Sequence, residues 1–276
     1  MGRLEGKVAF ITGAARGQGR SHAVRLAQEG ADIIAIDTST QLGTVDYPMS
    51  TADDLAETAR LVTALDRRIV ARDADVRDLA ETAKAVDEGV AELGRLDIVL
   101  ANAGIMSRPA SVLELTEQAW QDTVDINLTG VWKSLRASVP HILAGGCGGS
   151  VVITSSLGAI WANENTAHYS AAKAALVMLM KVMAKELAPQ SIRVNTIHTT
   201  TVATGMVLNE STYKLFRPDL EQPTRADFDE VARTLNKLPV AALDPEDVSE
   251  TVLHLVADSG RYITGTCQVL DAGGQL

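Results

Sequence analysis

The chain has 276 residues, of which 46% are hydrophobic, and its formal net charge at pH 7 is −10. That apolar share is enough for a sizeable core, and the acidic balance argues against nucleic acid, whose phosphates carry charge of the same sign. The two cysteines exclude a disulfide framework, and no His/Cys cluster has the spacing of a zinc site, so no metal is expected.

The N-terminal residues contain no recognisable targeting signal. They lack the apolar region of a signal peptide, and Gly6 stands where a myristoylation signal requires serine or threonine. No apolar run approaches the ~18 residues of a membrane span. We therefore expect a soluble, cytoplasmic protein without a membrane partner. Because no linker or low-complexity segment divides the chain, residues 1–276 should form one domain.

Short runs rich in valine and isoleucine alternate with amphipathic helical patterns. They predict strands at residues 7–12, 31–37, 68–76, 96–104, 149–156, 192–199 and 267–273, and helices at about 18–29, 53–65, 78–93, 117–143, 168–188 and 245–257. Strands that are apolar on both faces favour a parallel sheet covered on both sides. The prediction is an α/β, single-domain, doubly wound Rossmann fold with a seven-stranded parallel sheet, whose ligands bind at the carboxyl ends of the strands.

A glycine-rich turn, TGAARGQG, follows the first predicted strand. Gly13, Gly17 and Gly19 allow a tight turn and a close approach of the backbone to a diphosphate. The helix beginning near Gln18 offers that charge free N–H groups and its dipole. The motif is weak alone, and its placement between a strand and a helix strengthens it.

Asp37 ends the second predicted strand. An acid at this point accepts hydrogen bonds from the ribose hydroxyls of adenosine and repels a 2′-phosphate. Arg16 argues the other way, since a guanidinium could hold that phosphate. Because carboxylate and phosphate would share one small pocket, their repulsion should dominate, and NAD is predicted rather than NADP.

The connection after Asp37 is long for its position. Compact α/β units usually join a strand to the next helix in roughly 2–6 residues, whereas a polar, proline-containing loop here occupies residues 38–52 or so. A loop that leaves the strand beside Asp37 can fold over the adenosine half of a dinucleotide. An ordinary surface loop is the alternative.

Polar residues that can carry chemistry occur in the second half of the chain. Tyr169 and Lys173 are four residues apart, so they share a helix face. A tyrosine ordinarily titrates near ~10, and a nearby ammonium stabilises the phenolate, so the pair can act as a general acid/base. Ser156 ends a strand where the crevice should open, and its hydroxyl can hold a substrate oxygen; Ser155 is its rival. Asn127 is polar within an apolar helical stretch.

Residues 205–238 break the regular pattern and are expected to form an irregular lid over a pocket. Residues that could form an apolar substrate wall are Met106, Trp161, Met206, Leu208 and Phe216. They suit an apolar, cyclic alcohol better than a sugar or an acyl-carrier substrate. Alternatively, several of them pack within the lid or at a subunit interface.

The five histidines, at positions 22, 141, 168, 198 and 254, are not grouped in the sequence. His168 adjoins Tyr169 but points about a quarter-turn away on a helix. All five are expected to be structural or surface residues.

In this order, the motifs TGAARGQG, DADV, ANAG, DINLTG, ITSSLGA, YSAAK and LDAGG resemble those of the short-chain dehydrogenase/reductase family over essentially the whole chain. The resemblance implies a catalytic tetrad of Asn127, Ser156, Tyr169 and Lys173. In that tetrad Asn127 would hold a water of a proton relay, and Lys173 would also hold the nicotinamide ribose.

The same resemblance assigns further residues to the cofactor. Asp75 and Val76 would meet the adenine, and the motif residues Asn102, Ala103 and Gly104 would line the cofactor cleft. One departure follows the sixth predicted strand, where Thr199 and Thr200 replace the Pro-Gly of the family. Thr204 keeps the threonine of the family and would contact the carboxamide. The replaced pair leaves the rigidity of this loop open.

The glycine-rich motif together with the inserted loop resembles the carveol-dehydrogenase-like branch, which is linked to the redox carrier mycofactocin. The resemblance implies that NAD is held too tightly to exchange freely, so NADH would be reoxidised in place by a mycofactocin-type carrier. It also implies a homo-oligomer of two or four subunits, joined through the helices at about 117–143 and 168–188.

The predicted function is NAD-dependent interconversion of a secondary, terpenoid-like alcohol and its ketone, with Tyr169 as the acid/base. One alternative is an NADP-dependent 3-oxoacyl reductase, against which Asp37 and the apolar wall count. A second is a non-catalytic dinucleotide-sensing protein on the same fold, against which the intact tetrad counts.

Overall fold

The computed structural model describes residues 2–276 and contains one seven-stranded sheet with helices on both faces. All strand pairs are parallel, in the order β3-β2-β1-β4-β5-β6-β7. The strands are β1 Val8–Thr12, β2 Asp32–Asp37, β3 Ile69–Asp73, β4 Ile98–Ala101, β5 Gly149–Thr154, β6 Ile192–Thr199 and β7 Cys267–Leu270. The predicted doubly wound fold is confirmed.

Nine α-helices connect or flank these strands within the described residues. They are α1 Gly17–Gln28, α2 Ala52–Thr63, α3 Leu79–Leu93, α4 Glu117–Val124, α5 Val131–Gly145, α6 Ala167–Leu187, α7 Glu210–Phe216, α8 Arg225–Leu235 and α9 Pro245–Val256. Across residues 2–276, none of the helices combines the length and apolar character needed to cross a bilayer.

Two hydrophobic cores cover the two faces of the sheet. Phe10 belongs to one core, with side chains of α3, α5 and α6, and Ile11 belongs to the other, with α1, α2 and α9. Successive side chains of a strand point to opposite faces. Both faces are buried, which explains why the strands read as continuous apolar runs.

The carboxyl ends of the strands define the position of the site. β1 pairs with β2 on one side and with β4 on the other, so the chain crosses over in opposite directions from β1. A crevice opens at such a switch point. The strands predicted at 68–76 and 96–104 are too long, since β3 ends at Asp73 and β4 at Ala101. The residues beyond them therefore lie in loops at this edge.

The helix predicted over 117–143 is interrupted. Between α4 and α5, residues Asp125–Gly130 form a π-helical segment that contains Asn127. A π turn holds one extra residue and often marks a functional site. It has no compositional signature, so the periodicity of the sequence does not reveal it.

Residues 205–238 are more ordered than predicted, because they contain α7 and α8. Phe228 is fully buried in a small cluster of this region, and its ring lies 4.8 Å from that of Phe216. Leu208 packs against the same cluster. Leu208 and Phe216 therefore pack within this region, as the alternative interpretation of these residues expects. Pro218 and Pro223 separate the two short helices and obscure their period.

Candidate active site

A cleft at the carboxyl edge of the sheet brings together every residue that was predicted to bind a cofactor. Its lining includes Gly13, Arg16, Gly17, Gln18, Gly19, Asp37, Asp75, Val76, Asn102, Ala103, Gly104, Tyr169, Lys173 and Thr204. Met206 also lines the cleft, whereas Trp161 is half exposed and lies outside the lining. Of the predicted wall residues, only Met206 is therefore part of this cleft.

The glycine-rich turn has no room for side chains. Gly13 has a φ of +67°, which favours glycine, and a Cβ there would lie 2.9 Å from the Cα of Ala103. A Cβ on Gly19 would lie 2.0 Å from the carbonyl oxygen of Gly13. The strand, the turn and α1 can approach one another this closely only with glycine at both positions.

The same turn suits an anionic, hydroxyl-bearing ligand. Arg16, at the N-cap of α1, provides no side-chain cap, so the first N–H groups of the helix are available. Within residues 2–276, Gln18 Oε1 is buried without a hydrogen-bond partner. Free helix N–H groups beside an unpaired acceptor fit the diphosphate and hydroxyls of a dinucleotide.

Asp37 holds the turn and the inserted loop at the far end of the cleft. Its Oδ2 accepts a hydrogen bond from Ala15 N at 2.8 Å, and its Oδ1 accepts from Thr38 N at 2.9 Å and Ser50 Oγ at 2.8 Å. Burial raises the pKa of Asp37, and these hydrogen bonds and the charge of Arg16 oppose that rise.

The inserted loop, residues 38–51, forms part of the wall of the cleft. Val45 and Tyr47 are buried, and Tyr47, Met49 and Ser50 line the cleft. The Gln41 side chain organises the loop internally, because its Nε2 lies 3.2 Å from Val45 O and its Oε1 accepts from Met49 N at 2.9 Å. The loop is therefore shaped by its own contacts and packs inward.

Arg16 and Tyr47 lock the loop across the cleft. Arg16 Nη1 donates to Pro48 O at 2.5 Å, and its guanidinium carbon lies 5.7 Å from the centre of the Tyr47 ring. The Tyr47 hydroxyl accepts from Met106 N at 3.1 Å. The loop thus extends beyond Asp37 to the segment after β4. It covers more of the cleft than the adenosine end to which the prediction confined it.

Asp46 ties the outer side of the loop to neighbouring segments. Its carboxylate pairs with Arg108, whose Nη2 donates to Oδ1 at 2.5 Å and whose Nε donates to Oδ2 at 3.0 Å and to Oδ1 at 3.1 Å. Ser211 of α7 donates to the same carboxylate at 3.4 Å. The loop and the segment at 205–238 are therefore in direct contact.

Tyr169 and Lys173 lie in the first two turns of α6, at the other end of the cleft. Lys173 Nζ lies 5.7 Å from the centre of the Tyr169 ring and donates to Thr154 O at 2.8 Å. Burial lowers the pKa of Lys173 to about 8. Burial also raises the pKa of Tyr169, and a hydrogen bond from Ser156 lowers it.

The two candidate serines have different surroundings. Ser155 is buried, and its Oγ donates to Lys173 O at 3.0 Å, which joins β5 to α6. The Ser156 hydroxyl accepts from Gly158 N at 3.0 Å and keeps its proton for the Tyr169 side. Ser155 belongs to the cleft lining and Ser156 follows it, but of the two it is Ser156 whose hydrogen bond lowers the pKa of Tyr169.

Asn127 is fully buried and clamps the chain beyond β4. Its Nδ2 donates to Ile105 O and its Oδ1 accepts from Ile105 N, both at 2.8 Å. A Cβ on Gly104 would lie 3.2 Å from Asn127 Oδ1 and 3.4 Å from Lys173 Nζ. Glycine at position 104 therefore leaves open the space that Asn127 Oδ1 and Lys173 Nζ both border.

The remaining predicted contacts are placed as follows. The carboxylate of Asp75 is bonded by Arg77 Nε at 2.9 Å and Nη2 at 2.6 Å, so Arg77 is a competitor for any ligand at this carboxylate. Val76 packs on the π-helical segment, where a Cβ on Gly130 would lie 2.8 Å from it. Thr204 lies beside the glycine-rich turn, since a Cβ on Gly17 would lie 3.1 Å from Thr204 Cγ2.

The loop that lacks the family Pro-Gly pair is held by the sheet. Thr199 is the last residue of β6 and is paired with Leu270 of β7. Thr200 N donates to Leu270 O at 3.2 Å, and Thr200 Oγ1 donates to Asn236 Oδ1 at 3.2 Å. A glycine at position 200 would keep this N–H but not the side-chain bond, so the threonine adds a link from the loop to Asn236, the residue after α8.

Several residues of the site were not identified from the sequence. Thr12 Oγ1 accepts from Asn102 N at 3.0 Å and Ala103 N at 2.9 Å, which positions the ANAG turn. Tyr47 is the only aromatic residue of its loop, and this was the one signal that could have identified it. His198, expected to be merely structural, contacts the backbone of Ser156.

Comparisons with known proteins agree with this architecture. The family model described as short chain dehydrogenase matches residues 7–214. A (−)-trans-carveol dehydrogenase of Rhodococcus erythropolis is 50% identical over 276 residues, which cover 100% of both chains.

Two solved structures extend the comparison. The crystal structure of carveol dehydrogenase from Mycobacterium avium in complex with NAD has a TM-score of 0.99 and 54% identity, covering 100% of this chain and 99% of that one. A short chain dehydrogenase from Mycobacterium paratuberculosis bound to NAD has a TM-score of 0.90 and 42% identity, with 99% of each chain covered. The predicted resemblance is confirmed: this chain belongs to the short-chain dehydrogenase family and is similar to carveol dehydrogenases.

Proposed function

We propose that the chain is an NAD-dependent alcohol dehydrogenase that interconverts a secondary, terpenoid-like alcohol and its ketone. The observation that carries the proposal is the juxtaposition of Tyr169 and Lys173, with Ser156 beside the tyrosine, at one end of a cleft that also holds the glycine-rich turn and Asp37. One end has the groups for proton transfer, and the other has the groups for a dinucleotide.

In the proposed reaction Tyr169 takes the proton of the substrate hydroxyl, and the Ser156 hydroxyl steadies the oxygen as charge develops on it. Lys173, charged and close to the ring, favours the phenolate. NAD, when bound, supplies the acceptor for the hydride. Asn127 fixes Ile105 beside these groups and is proposed to hold a water of the proton relay.

Asp37 and Arg16 together support NAD rather than NADP. Asp37 places a carboxylate where a 2′-phosphate would lie. The Arg16 guanidinium, the candidate phosphate ligand, is bonded to Pro48 O and stacked on Tyr47. The two related structures named above contain NAD.

Replacing Asp37 with Ser is expected to weaken NAD binding relative to NADP. A hydrogen bond to a charged group contributes about 1.5–3 kcal/mol, so the ratio of kcat/KM for NAD over NADP should fall about 10- to 100-fold. Steady-state kinetics with both cofactors measures this ratio. Ser50→Ala, which removes one bond to the carboxylate and keeps its charge, is the control and should keep the preference for NAD. An unchanged ratio in Asp37→Ser would contradict the assignment of Asp37.

The substrate proposal rests on the apolar side chains of the cleft. Ile105 and Met206 line it, as do Tyr47 and Met49 of the inserted loop, and the Tyr47 hydroxyl accepts a hydrogen bond from Met106 N, next to Ile105. Terpenoid alcohols present apolar rings of matching character. The Rhodococcus erythropolis relative, 50% identical, is a (−)-trans-carveol dehydrogenase.

Incubation with (−)-trans-carveol or another cyclic terpenoid alcohol is expected to reduce the cofactor, seen as NADH absorbance or as reduction of a coupled dye. A 3-oxoacyl thioester with NADPH should react at least tenfold more slowly. The reverse preference would favour the reductase alternative. Absence of turnover with either substrate class, in protein that binds NAD, would favour a dinucleotide-sensing role.

The inserted loop is proposed to retain NAD on the protein. Its contacts through Asp37, Arg16 and Met106 cover the cleft from the adenosine end toward the reaction end. Bound NADH would then be reoxidised in place by an external carrier of the mycofactocin type. We place this chemistry in the cytoplasm.

A homo-oligomer of two or four subunits is part of the proposal. The two helices that were expected to form the interface correspond to α4 with α5 and to α6. Their exposed apolar side chains are Trp120 of α4, Trp132 and Leu143 of α5, and Met178 and Val182 of α6. Their burial against a second copy would remove apolar surface from water.

A further inference from the structure

His198 is a fully buried histidine of β6 that lies directly behind Ser156. Its Nδ1 lies 2.9 Å from Ser156 O, and its Nε2 lies 2.8 Å from Thr196 Oγ1. A carbonyl oxygen can only accept, so Nδ1 carries the proton and donates it, and Nε2 accepts from the Thr196 hydroxyl. A single neutral tautomer satisfies both ring nitrogens.

Ser156 depends on such a contact because it lies beyond the end of β5. The backbone bond from Ser155 N to Ile197 O, at 2.9 Å, is the last link between the two strands at this edge. Ser156 then turns into a short 3₁₀ segment, Leu157–Ala159. Its hydroxyl accepts from Gly158 N, and its carbonyl accepts from Ala159 N at 3.1 Å and from His198. Of these bonds, only the one from His198 comes from outside the turn.

We propose that His198 is a positioning residue that holds the Ser156 hydroxyl against Tyr169 through its hydrogen bond to the Ser156 carbonyl. The inference rests on the proposed function, in which Ser156 and Tyr169 act together. Without it, the hydrogen bonds described above for Ser156 would all come from its own turn, and a shift of a few tenths of an ångström at Ser156 would weaken a hydrogen bond to the tyrosine.

The consequence is a change in the pH dependence of the reaction. The hydrogen bond from Ser156 lowers the pKa of Tyr169, against the rise caused by burial. Alcohol oxidation requires the deprotonated tyrosine, so its rate rises as pH passes through this pKa. Loss of the bond from Ser156 raises the pKa and moves the rise to higher pH. The other titratable groups that face Tyr169 are Lys173 and Tyr47, and the substitutions below leave both in place.

Two variants of similar polarity separate the two ring contacts. In His198→Asn the side-chain amide reaches the position of Nδ1 and can still donate to Ser156 O, whereas in His198→Gln the amide reaches the position of Nε2 and loses that bond. Relative to wild type, His198→Gln should lower kcat about 10- to 100-fold with KM nearly unchanged. It should also move the rising limb of kcat against pH upward by about one unit. His198→Asn should restore most of both effects.

His22→Gln is the matched control, because His22 is also fully buried and its Nδ1 lies 2.8 Å from Ser249 Oγ, away from the cleft. It should lower the thermal midpoint and leave the pH limb in place. The inference would be overturned if the pH at which kcat rises were unchanged in His198→Gln, or if it moved equally in the Asn and Gln variants of His198. A change of this pH in His22→Gln would also overturn it. Failure of the proposed function would give a different result. In that case Tyr169→Phe would keep its turnover, and its kcat would rise with pH as in the wild type.

Discussion

Phenylalanine in place of Tyr169 is expected to lower kcat/KM for alcohol oxidation by about 10²–10⁴-fold, the range that a positioned acid/base group contributes. The substitution keeps the ring and its packing and removes only the hydroxyl. Without it, the Ser156 hydroxyl and the Lys173 ammonium remain in place but have no phenolate to stabilise. Steady-state oxidation of a terpenoid alcohol, followed by NADH absorbance or by a coupled dye, measures the loss.

The control for Tyr169→Phe is the same substitution at a tyrosine outside the site. Tyr262 is 87% exposed and lies away from the cleft lining, so Tyr262→Phe should keep the wild-type rate. Thermal midpoint and NAD content, measured on both variants, separate loss of chemistry from loss of folding or cofactor. Turnover within threefold of wild type in a folded, NAD-containing Tyr169→Phe protein would reject Tyr169 as the acid/base.

Methionine in place of Arg16 is expected to release the cofactor. Wild-type protein should retain NAD through gel filtration and release it on denaturation, as detected by chromatography. The substitution removes the bond to Pro48 O and the stacking on Tyr47, both of which hold the inserted loop closed. A hydrogen bond from a charged donor contributes about 1.5–3 kcal/mol, so exchange of bound NAD for labelled NAD should accelerate about 10- to 100-fold.

The control is Arg261, a second arginine that contacts a tyrosine ring and a backbone carbonyl, but away from the cleft. The Arg261 guanidinium carbon lies 5.0 Å from the centre of the Tyr262 ring, and its Nη1 donates to Asp258 O at 3.2 Å. Arg261→Met should therefore exchange NAD at the wild-type rate. Rapid exchange in the wild type would refute retention by the loop. A variant of Arg16 that loses NADP activity selectively, with NAD exchange unchanged, would instead identify Arg16 as a phosphate ligand.

The predictions from sequence were accurate where a signal is local. The strand and helix patterns recur with periods of about two and 3.6 residues, and all seven strands were identified, with errors confined to their ends. The glycine-rich turn, Asp37 and the Tyr169–Lys173 pair could be read because each depends on spacing along one segment. The two short helices at 205–238 were missed because prolines interrupt a period of only two or three turns.

Contacts between distant segments could not be read in this way. Arg16 meets Pro48, and His198 meets Ser156, across 32 and 42 residues of chain. The sequence around each of these residues contains no pattern that predicts its contact partner. The family resemblance had already selected Ser156 over Ser155, but the tie between Ser155 Oγ and Lys173 O, across 18 residues of chain, is visible only in the structure.

The amino-acid order is thus sufficient for the layered α/β architecture and for the chemical groups at the carboxyl edge of the sheet, because periodicity and local turn geometry are encoded within single segments. Folding alone places the inserted loop across the cleft, turns Arg16 toward that loop, and sets His198 behind Ser156. These are packing outcomes, determined by which side chains of remote segments find a partner when water is excluded from the space between them.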